Sequence, residues 1–122
     1  MELNDTGFDL IKKDLKRLRK CRSMKADLEN YFKIHNDSWT KYSNLSCIIA
    51  AGKNYVVCKD RVGIKNPKLS PSEGGRLWFV IDKTTGKYYR CLLYIAKEEP
   101  SYPKSVCFEI VNSVVNSLFS GN

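Results

Sequence analysis

The sequence predicts an α+β fold in which an N-terminal helical hairpin packs on a small antiparallel sheet of three to five strands, followed by a short C-terminal helix. Three observations support this prediction. Apolar residues recur every three or four positions near the N-terminus, alternate in short β-rich runs in the middle, and return to helical spacing near the C-terminus. With 122 residues the chain is long enough for one core, so we expect a single domain over residues 1–122.

Two amphipathic helices are predicted in the N-terminal part. The apolar face of the first comprises Phe8, Ile11, Leu15 and Leu18, and basic residues surround its other faces. Ser23 is suited to cap the second helix, which is expected from Met24 to about His35. Two short helices are not stable alone, so the pair is expected to form a hairpin with its apolar face against the sheet.

The central part predicts an antiparallel meander. Its strands are expected at 45–50, 55–62, 76–81 and 88–96. Residues 36–46 are polar and predict a surface connector, whereas residues 1–6 fit either a short edge strand or a turn. The C-terminal helix is expected over residues 105–119, despite its valine content.

Charge limits the choice of partners. The chain has 21 Lys and Arg against 13 Asp and Glu, a net charge of +8, which favours nucleic acid, an anionic membrane surface or an acidic protein. No apolar run is long enough to cross a membrane, and the acidic, polar N-terminus does not resemble a secretory signal. We therefore expect a cytoplasmic protein without a membrane partner.

The cysteines and the single histidine offer no recognisable metal or catalytic site. The cysteines are Cys21, Cys47, Cys58, Cys91 and Cys107. They are scattered and lack the spacing of zinc ligands, so we expect free, mostly buried thiols and no metal. His35 is expected at a solvated helix end, and no Ser-His-Asp or Cys-His arrangement is evident.

Cations and aromatic residues meet on the predicted meander. Lys59 and Arg61 share one face of their strand, and Arg76 begins the next strand after two glycines. Trp78 shares the face of Arg76, and Tyr94 can join it from the third strand. Aromatic rings beside cations are typical of surfaces that stack unpaired RNA bases. A plainer alternative is that Arg76 only binds carbonyl groups of its own turn.

Four stretches together resemble a known family. They are residues 11–18, Lys59-x-Arg61, Gly74-Gly75-Arg76 and residues 92–99. In this order they resemble the RelE/HigB-type toxins of bacterial type II toxin-antitoxin systems, over about residues 8–115. The resemblance implies a metal-independent mRNA endoribonuclease that acts on ribosome-bound mRNA. It also implies inhibition by a cognate antitoxin and no small-molecule cofactor.

The resemblance also suggests roles for individual residues. Lys59 and Arg61 match the basic strand pair of the family, Arg76 its phosphate-contacting arginine, and Lys97 the lysine at the end of its last strand. The candidate catalytic residues are Lys59, Arg61, Arg76, Lys97 and Tyr102. The candidate RNA-binding residues are Lys65, Lys68, Trp78, Tyr94 and Lys104.

Some features depart from the family pattern. Family members commonly place Arg, His or Tyr after the last strand as the acid or base, where this chain offers Tyr102 first and Lys104 second. Glu98 and Glu99 in the same segment are unfavourable beside a polyanion. Strand alternation also predicts that Tyr94 and Lys97 face opposite sides unless a bulge intervenes.

Other interpretations stay open at this point. The basic first helix can be a solvated face rather than a ribosome contact, and the loop lysines can belong to a mobile hairpin tip rather than an RNA grip. A ParE-like toxin that inhibits DNA gyrase shares the fold. A non-enzymatic module that binds nucleic acid or an acidic protein is the alternative from another class.

Overall fold

The computed structural model describes residues 4–6, 8–39 and 46–119. The strands are β1 (Asn4–Thr6), β2 (Ile48–Ala51), β3 (Tyr55–Val62), β4 (Gly75–Asp82) and β5 (Lys87–Ile95). The helices are α1 (Lys12–Arg17), α2 (Met24–Trp39) and α3 (Lys104–Phe119). Short 3-10 segments occupy Phe8–Ile11 and Ala96–Ser101.

One five-stranded sheet forms the centre, in the order β1-β5-β4-β3-β2. Strands β2 to β5 form the antiparallel meander that the alternating pattern predicts, which confirms the α+β class. Strand β1 joins the far edge in parallel with the start of β5, pairing Asn4 with Lys87. The two strands are distant in sequence, so local patterning does not indicate this pairing.

The N-terminal helices differ from the expected hairpin. Helix α1 lies against β5 and α2 against β3, so the two helices cover different strands and are not clearly paired with each other. Helix α2 also continues past His35 to Trp39. The His35 Nδ1 atom lies 2.9 Å from the Tyr31 carbonyl oxygen within this helix, so the expected solvated terminus is wrong. Residues 40–45 of the predicted connector lie outside the described residues.

Side chains pack on both faces of the sheet. On β4, alternate residues point to opposite sides, and every residue from Gly75 to Ile81 is buried. The face towards α1 and α2 carries Leu77, Phe79 and Ile81. The opposite face carries Trp78 and Val80, which pack with the α3 residues Cys107, Val111 and Val115.

The five cysteines are free and buried, as the sequence predicts. No helix in the described part of the chain combines the length and the apolar character needed to cross a bilayer.

Side chains of α1 extend the pairing of β5 beyond the end of β1. The last residue of β5 that pairs with β1 is Tyr89. Further along, the Leu93 N–H donates to Asp14 Oδ2 at 3.0 Å, and Arg17 Nη2 donates to the Leu93 carbonyl at 2.8 Å. Asp14 and Arg17 also form an ion pair at 2.6 Å. These bonds satisfy both main-chain groups of Leu93 and fix α1 on the sheet.

Replacing Asp14 with alanine tests this attachment. The Asp14→Ala variant leaves the Leu93 N–H without its acceptor, so we expect unfolding free energy to fall by about 1–3 kcal/mol. Urea denaturation of the purified chain measures the change. Asp9→Ala, at an exposed position in the preceding 3-10 segment, is the matched control and should change stability by less than about 0.5 kcal/mol. Equal losses in the two variants would contradict the proposed attachment.

Candidate functional site

Several predicted site residues meet at an open groove where β5 ends. The groove has a volume of about 600 Å³. It is lined by Lys59, Tyr94, Ala96, Lys97, Glu99, Pro100 and Tyr102, and we call it the cationic groove. Strand β3 contributes Lys59, β5 contributes Tyr94, and the segment between β5 and α3 contributes the rest. The sheet and the 3-10 segment after it therefore build the groove together.

The position of Lys59 follows from strand alternation. Val57, two residues earlier, packs in the core beneath α3, so Lys59 belongs to the same face. Lys59 pairs in register with Trp78, and its Nζ atom lies 5.5 Å from the centre of the Trp78 ring. A buried ring beneath the ammonium group stabilises the cation at the groove.

Glu99 lies between two cations of the site. Its Oε1 atom is 3.2 Å from Arg76 Nε and 3.9 Å from Lys59 Nζ. The Glu99 side chain is 46% exposed, so a solvent-borne ligand can reach it. A carboxylate of the protein itself therefore lies beside both cations.

Glu98 faces away from these cations. Its Oε2 atom accepts a hydrogen bond from Arg17 Nε at 2.9 Å, and its Oε1 atom accepts one from the Ile95 N–H at 3.0 Å. The two acids therefore do not act together against an anionic ligand, which corrects the expectation drawn from their adjacency. Glu99 was missed as a site residue because the sequence gives no sign that consecutive acids separate in this way.

Arg76 holds the loop that precedes its own strand. Its guanidinium donates to the carbonyl groups of Pro71 at 2.9 Å and Ser72 at 2.8 Å. Only 4% of Arg76 is exposed. The plainer reading, an arginine that binds its own turn, describes this geometry. Direct contact with a scissile phosphate conflicts with this burial, so in this structure Arg76 reaches the groove only through Glu99.

Gly74 is required by the same loop. A Cβ atom at this position would lie 2.3 Å from the carbonyl oxygen of Val62, a distance that no side chain tolerates. The Gly74 N–H donates to the Ser70 carbonyl at 2.7 Å, and its own carbonyl accepts from the Ala96 N–H at 3.0 Å. The Gly-Gly-Arg motif thus closes the loop and connects it to the segment that carries Glu99.

Trp78 and Tyr94 lie next to each other, and of the two Tyr94 lines the groove. They are 0% and 1% exposed, and Trp78 Nε1 donates to Tyr94 Oη at 3.2 Å. Burial raises the pKa of Tyr94 to about 12. Since the faces of both rings are covered, the expected stacking of RNA bases on them conflicts with the structure.

Tyr102 is the aromatic residue of the groove that solvent reaches. Its ring stacks on Tyr94 with 4.5 Å between centroids, and the Arg17 guanidinium lies 5.4 Å from its centre. Burial of part of the ring raises the pKa of Tyr102, although the Arg17 charge opposes this. The phenol therefore remains protonated at neutral pH.

Tyr94 and Lys97 line the same groove, although strand alternation predicts opposite sides. Strand β5 ends at Ile95, and the chain then enters the 3-10 segment. The alternation rule does not apply beyond the strand. The expectation that the two residues face opposite sides therefore does not describe this groove.

The remaining predicted residues lie elsewhere. Arg61 pairs in register with Arg76, but together with Lys65 and Lys68 it lines a second groove beside α2. The loop with these lysines is attached to the start of α2, since the Asn66 N–H donates to Ser23 Oγ at 2.8 Å. Lys104 is exposed at the first residue of α3 and does not line the cationic groove. The predicted cations are thus divided between two grooves, apart from Arg76 and Lys104, which line neither of them.

Replacing Arg76 with alanine should destabilise the fold rather than only the site. The substitution removes the donors for the Pro71 and Ser72 carbonyls and leaves a buried space. We expect the unfolding free energy to fall by about 2–4 kcal/mol, measured by chemical denaturation. Arg61→Ala, at an exposed position of the paired strand, should cost less than about 0.5 kcal/mol. A stable Arg76→Ala variant would show that the loop does not need this arginine.

Within the described residues, no group of three or more His, Cys, Asp or Glu side chains is placed to hold a metal ion. No protein-family model, curated protein or solved structure matches the chain.

Proposed function

We propose that the chain is the toxin of a toxin-antitoxin system and cleaves ribosome-bound mRNA without a metal ion. The observation that supports this most is the meeting of Lys59, Lys97, Glu99 and Tyr102 at one open groove. Cations, a carboxylate and a phenol can supply the charge stabilisation, the base and the acid that RNA cleavage by an internal hydroxyl needs. The resemblance of the four stretches to RelE/HigB-type toxins supports the same reaction.

The reaction has three requirements. The ribose 2′-OH gives its proton to a base, and its oxygen attacks the adjacent phosphorus atom. The bond from phosphorus to the 5′ oxygen then breaks, and that oxygen takes a proton from an acid. The charge on the phosphate must be stabilised throughout. The products are a 2′,3′-cyclic phosphate and a free 5′-OH.

The groove offers at least one group for each requirement. We assign proton acceptance to Glu99, the carboxylate that lines the groove within the described residues. Lys59 and Lys97 supply positive charge for the phosphate. Tyr102 is the proton donor, since its phenol lines the groove and is protonated at neutral pH. Arg76 acts as a positioning residue, because its Nε atom holds Glu99.

A non-enzymatic binding module is the second candidate. It is favoured by Arg76, whose guanidinium is bound to its own loop rather than exposed to a phosphate. The net charge of +8 suits either candidate. Intact RNA, bound with an affinity that falls steeply with salt, would select the binding module. Inhibition of DNA supercoiling by gyrase without RNA cleavage would instead select a ParE-like toxin.

Lys59→Met tests the cationic groove directly. The substitution keeps an unbranched apolar chain over the Trp78 ring but removes the charged ammonium group. We expect cleavage of mRNA on translating ribosomes to slow by roughly 10²-fold. Primer extension on the recovered mRNA measures the cleavage. Lys53→Met, at an exposed position in the turn between β2 and β3, is the matched control and should cut at the wild-type rate. Unchanged cleavage by Lys59→Met would remove this residue from the site.

Glu99→Gln separates proton transfer from binding. Without the carboxylate, cleavage should slow by roughly 10²-fold, while RNA binding is kept or strengthened because a negative charge leaves the groove. Single-turnover cleavage and filter binding measure the two effects. The control is Glu109→Gln, at an exposed position on α3. Faster cleavage by Glu99→Gln would show that Glu99 blocks the site instead of serving as its base.

A further inference from the structure

A second cavity adjoins the cationic groove. It has a volume of about 720 Å³ and lies between the end of α1, the loop before β4 and the segment after β5. The cavity shares Ala96 and Lys97 with the lining of the groove. We call it the side cavity. A ligand in the groove that extends past Lys97 would enter it.

The walls of the side cavity are mainly apolar. They include Leu18, Cys21, Pro67, Leu69 and Ile95. Leu18, Cys21 and Ile95 belong to the core cluster, and Leu69 packs against it. The floor of the cavity is therefore a fixed part of the fold, which suits a ligand with a flat, apolar face.

Polar groups surround this apolar floor. Arg17 and Glu98 line the cavity as an ion pair, with 2.9 Å between Nε and Oε2. Lys20, Glu73 and Lys97 also line it, and each of the three is exposed. At this rim the two ammonium groups can donate hydrogen bonds to a ligand, and the carboxylate can accept them.

We propose that the side cavity binds an unpaired nucleobase of the RNA whose phosphate lies in the cationic groove. This proposal rests on the proposed function and names what that site recognises. A nucleobase combines an apolar face with an edge of donors and acceptors, which matches the floor and the rim. Lys97 lines both spaces, so it borders both the base and the phosphate of the same nucleotide.

Nucleotide binding tests the proposal without any cleavage. The probes are the four nucleoside 5′-monophosphates and ribose 5-phosphate, which has the same phosphate and sugar but no base. We expect at least one nucleotide to bind about tenfold or more tightly than ribose 5-phosphate. It should also shift the methyl signals of Leu69 and Ile95 in carbon-proton NMR spectra. Nucleotides that bind no better than ribose 5-phosphate, or that leave those methyl signals in place, would overturn the proposal.

A variant that fills the side cavity gives a second test. Cys21 lines this cavity and not the groove, so Cys21→Phe should remove the advantage of nucleotides over ribose 5-phosphate. Val106→Phe, at an exposed position on α3, is the matched control and should keep that advantage. A folded Cys21→Phe variant with wild-type nucleotide affinity would contradict base binding in this cavity.

Surface variants keep the test decisive if Cys21→Phe does not fold. Lys20→Ala and Glu73→Ala change exposed rim residues, and each should weaken nucleotide binding about fivefold or more while ribose 5-phosphate binds as before. Wild-type nucleotide binding in both variants would overturn the proposal.

Cleavage is measured separately from nucleotide binding. If the protein binds bases but leaves mRNA intact, the proposed nuclease activity is contradicted. If it cuts mRNA but binds nucleotides no better than ribose 5-phosphate, only base binding in the side cavity is contradicted.

Discussion

The contacts of Arg76 hold the groove together. This single buried guanidinium joins β4 to the carbonyl groups of Pro71 and Ser72, and its Nε atom reaches the carboxylate of Glu99. The loop that it closes also carries Leu69 and Glu73, which line the side cavity. The cationic groove and the side cavity therefore both depend on the contacts of Arg76. A buried charge is stable only when its donors are satisfied, and here the main chain of the loop satisfies them.

The attachment of α1 determines the other side of the groove. Asp14 and Arg17 bind both main-chain groups of Leu93, and Arg17 also reaches Glu98 and the ring of Tyr102. These contacts hold Glu98 away from the cations of the groove and keep Tyr102 stacked on Tyr94. The position of a helix on the edge of the sheet thus influences which charges meet a ligand.

Sequence periodicity was sufficient for features that depend on local burial. The β2 to β5 meander, α3 and the buried cysteines follow from alternation, helical spacing and the apolar character of a thiol. The same reasoning placed Lys59 on one face of its strand, whereas Tyr102, which lines the same groove, was suggested by the family resemblance. It failed where a contact joins distant parts of the chain. Leu93 and Asp14 are 79 residues apart, and no local pattern links them.

In the candidate site, too, local pattern predicted some features and missed others. Face alternation placed Arg76 and Trp78 on one side of β4, yet it gave no measure of how deeply either is covered. Burial of Trp78 depends on Phe108 of α3, which meets it edge-on at 5.3 Å. The direction of Glu99 depends on the 3-10 segment, whose course begins where the alternation of β5 ends. Alternation along one strand predicts neither effect, because the first depends on a distant helix and the second on backbone beyond the strand.

The two glycines before Arg76 look equivalent in the sequence, but the structure gives them unequal tolerance to mutation. A Cβ atom at Gly75 would meet its nearest neighbour, Val62 Cβ, at 3.5 Å, which is an ordinary contact. At Gly74 even one added carbon atom collides with the main chain of β3. Alanine can therefore replace the second glycine far more readily than the first. Saturation mutagenesis of the pair should yield many more folded variants at Gly75 than at Gly74.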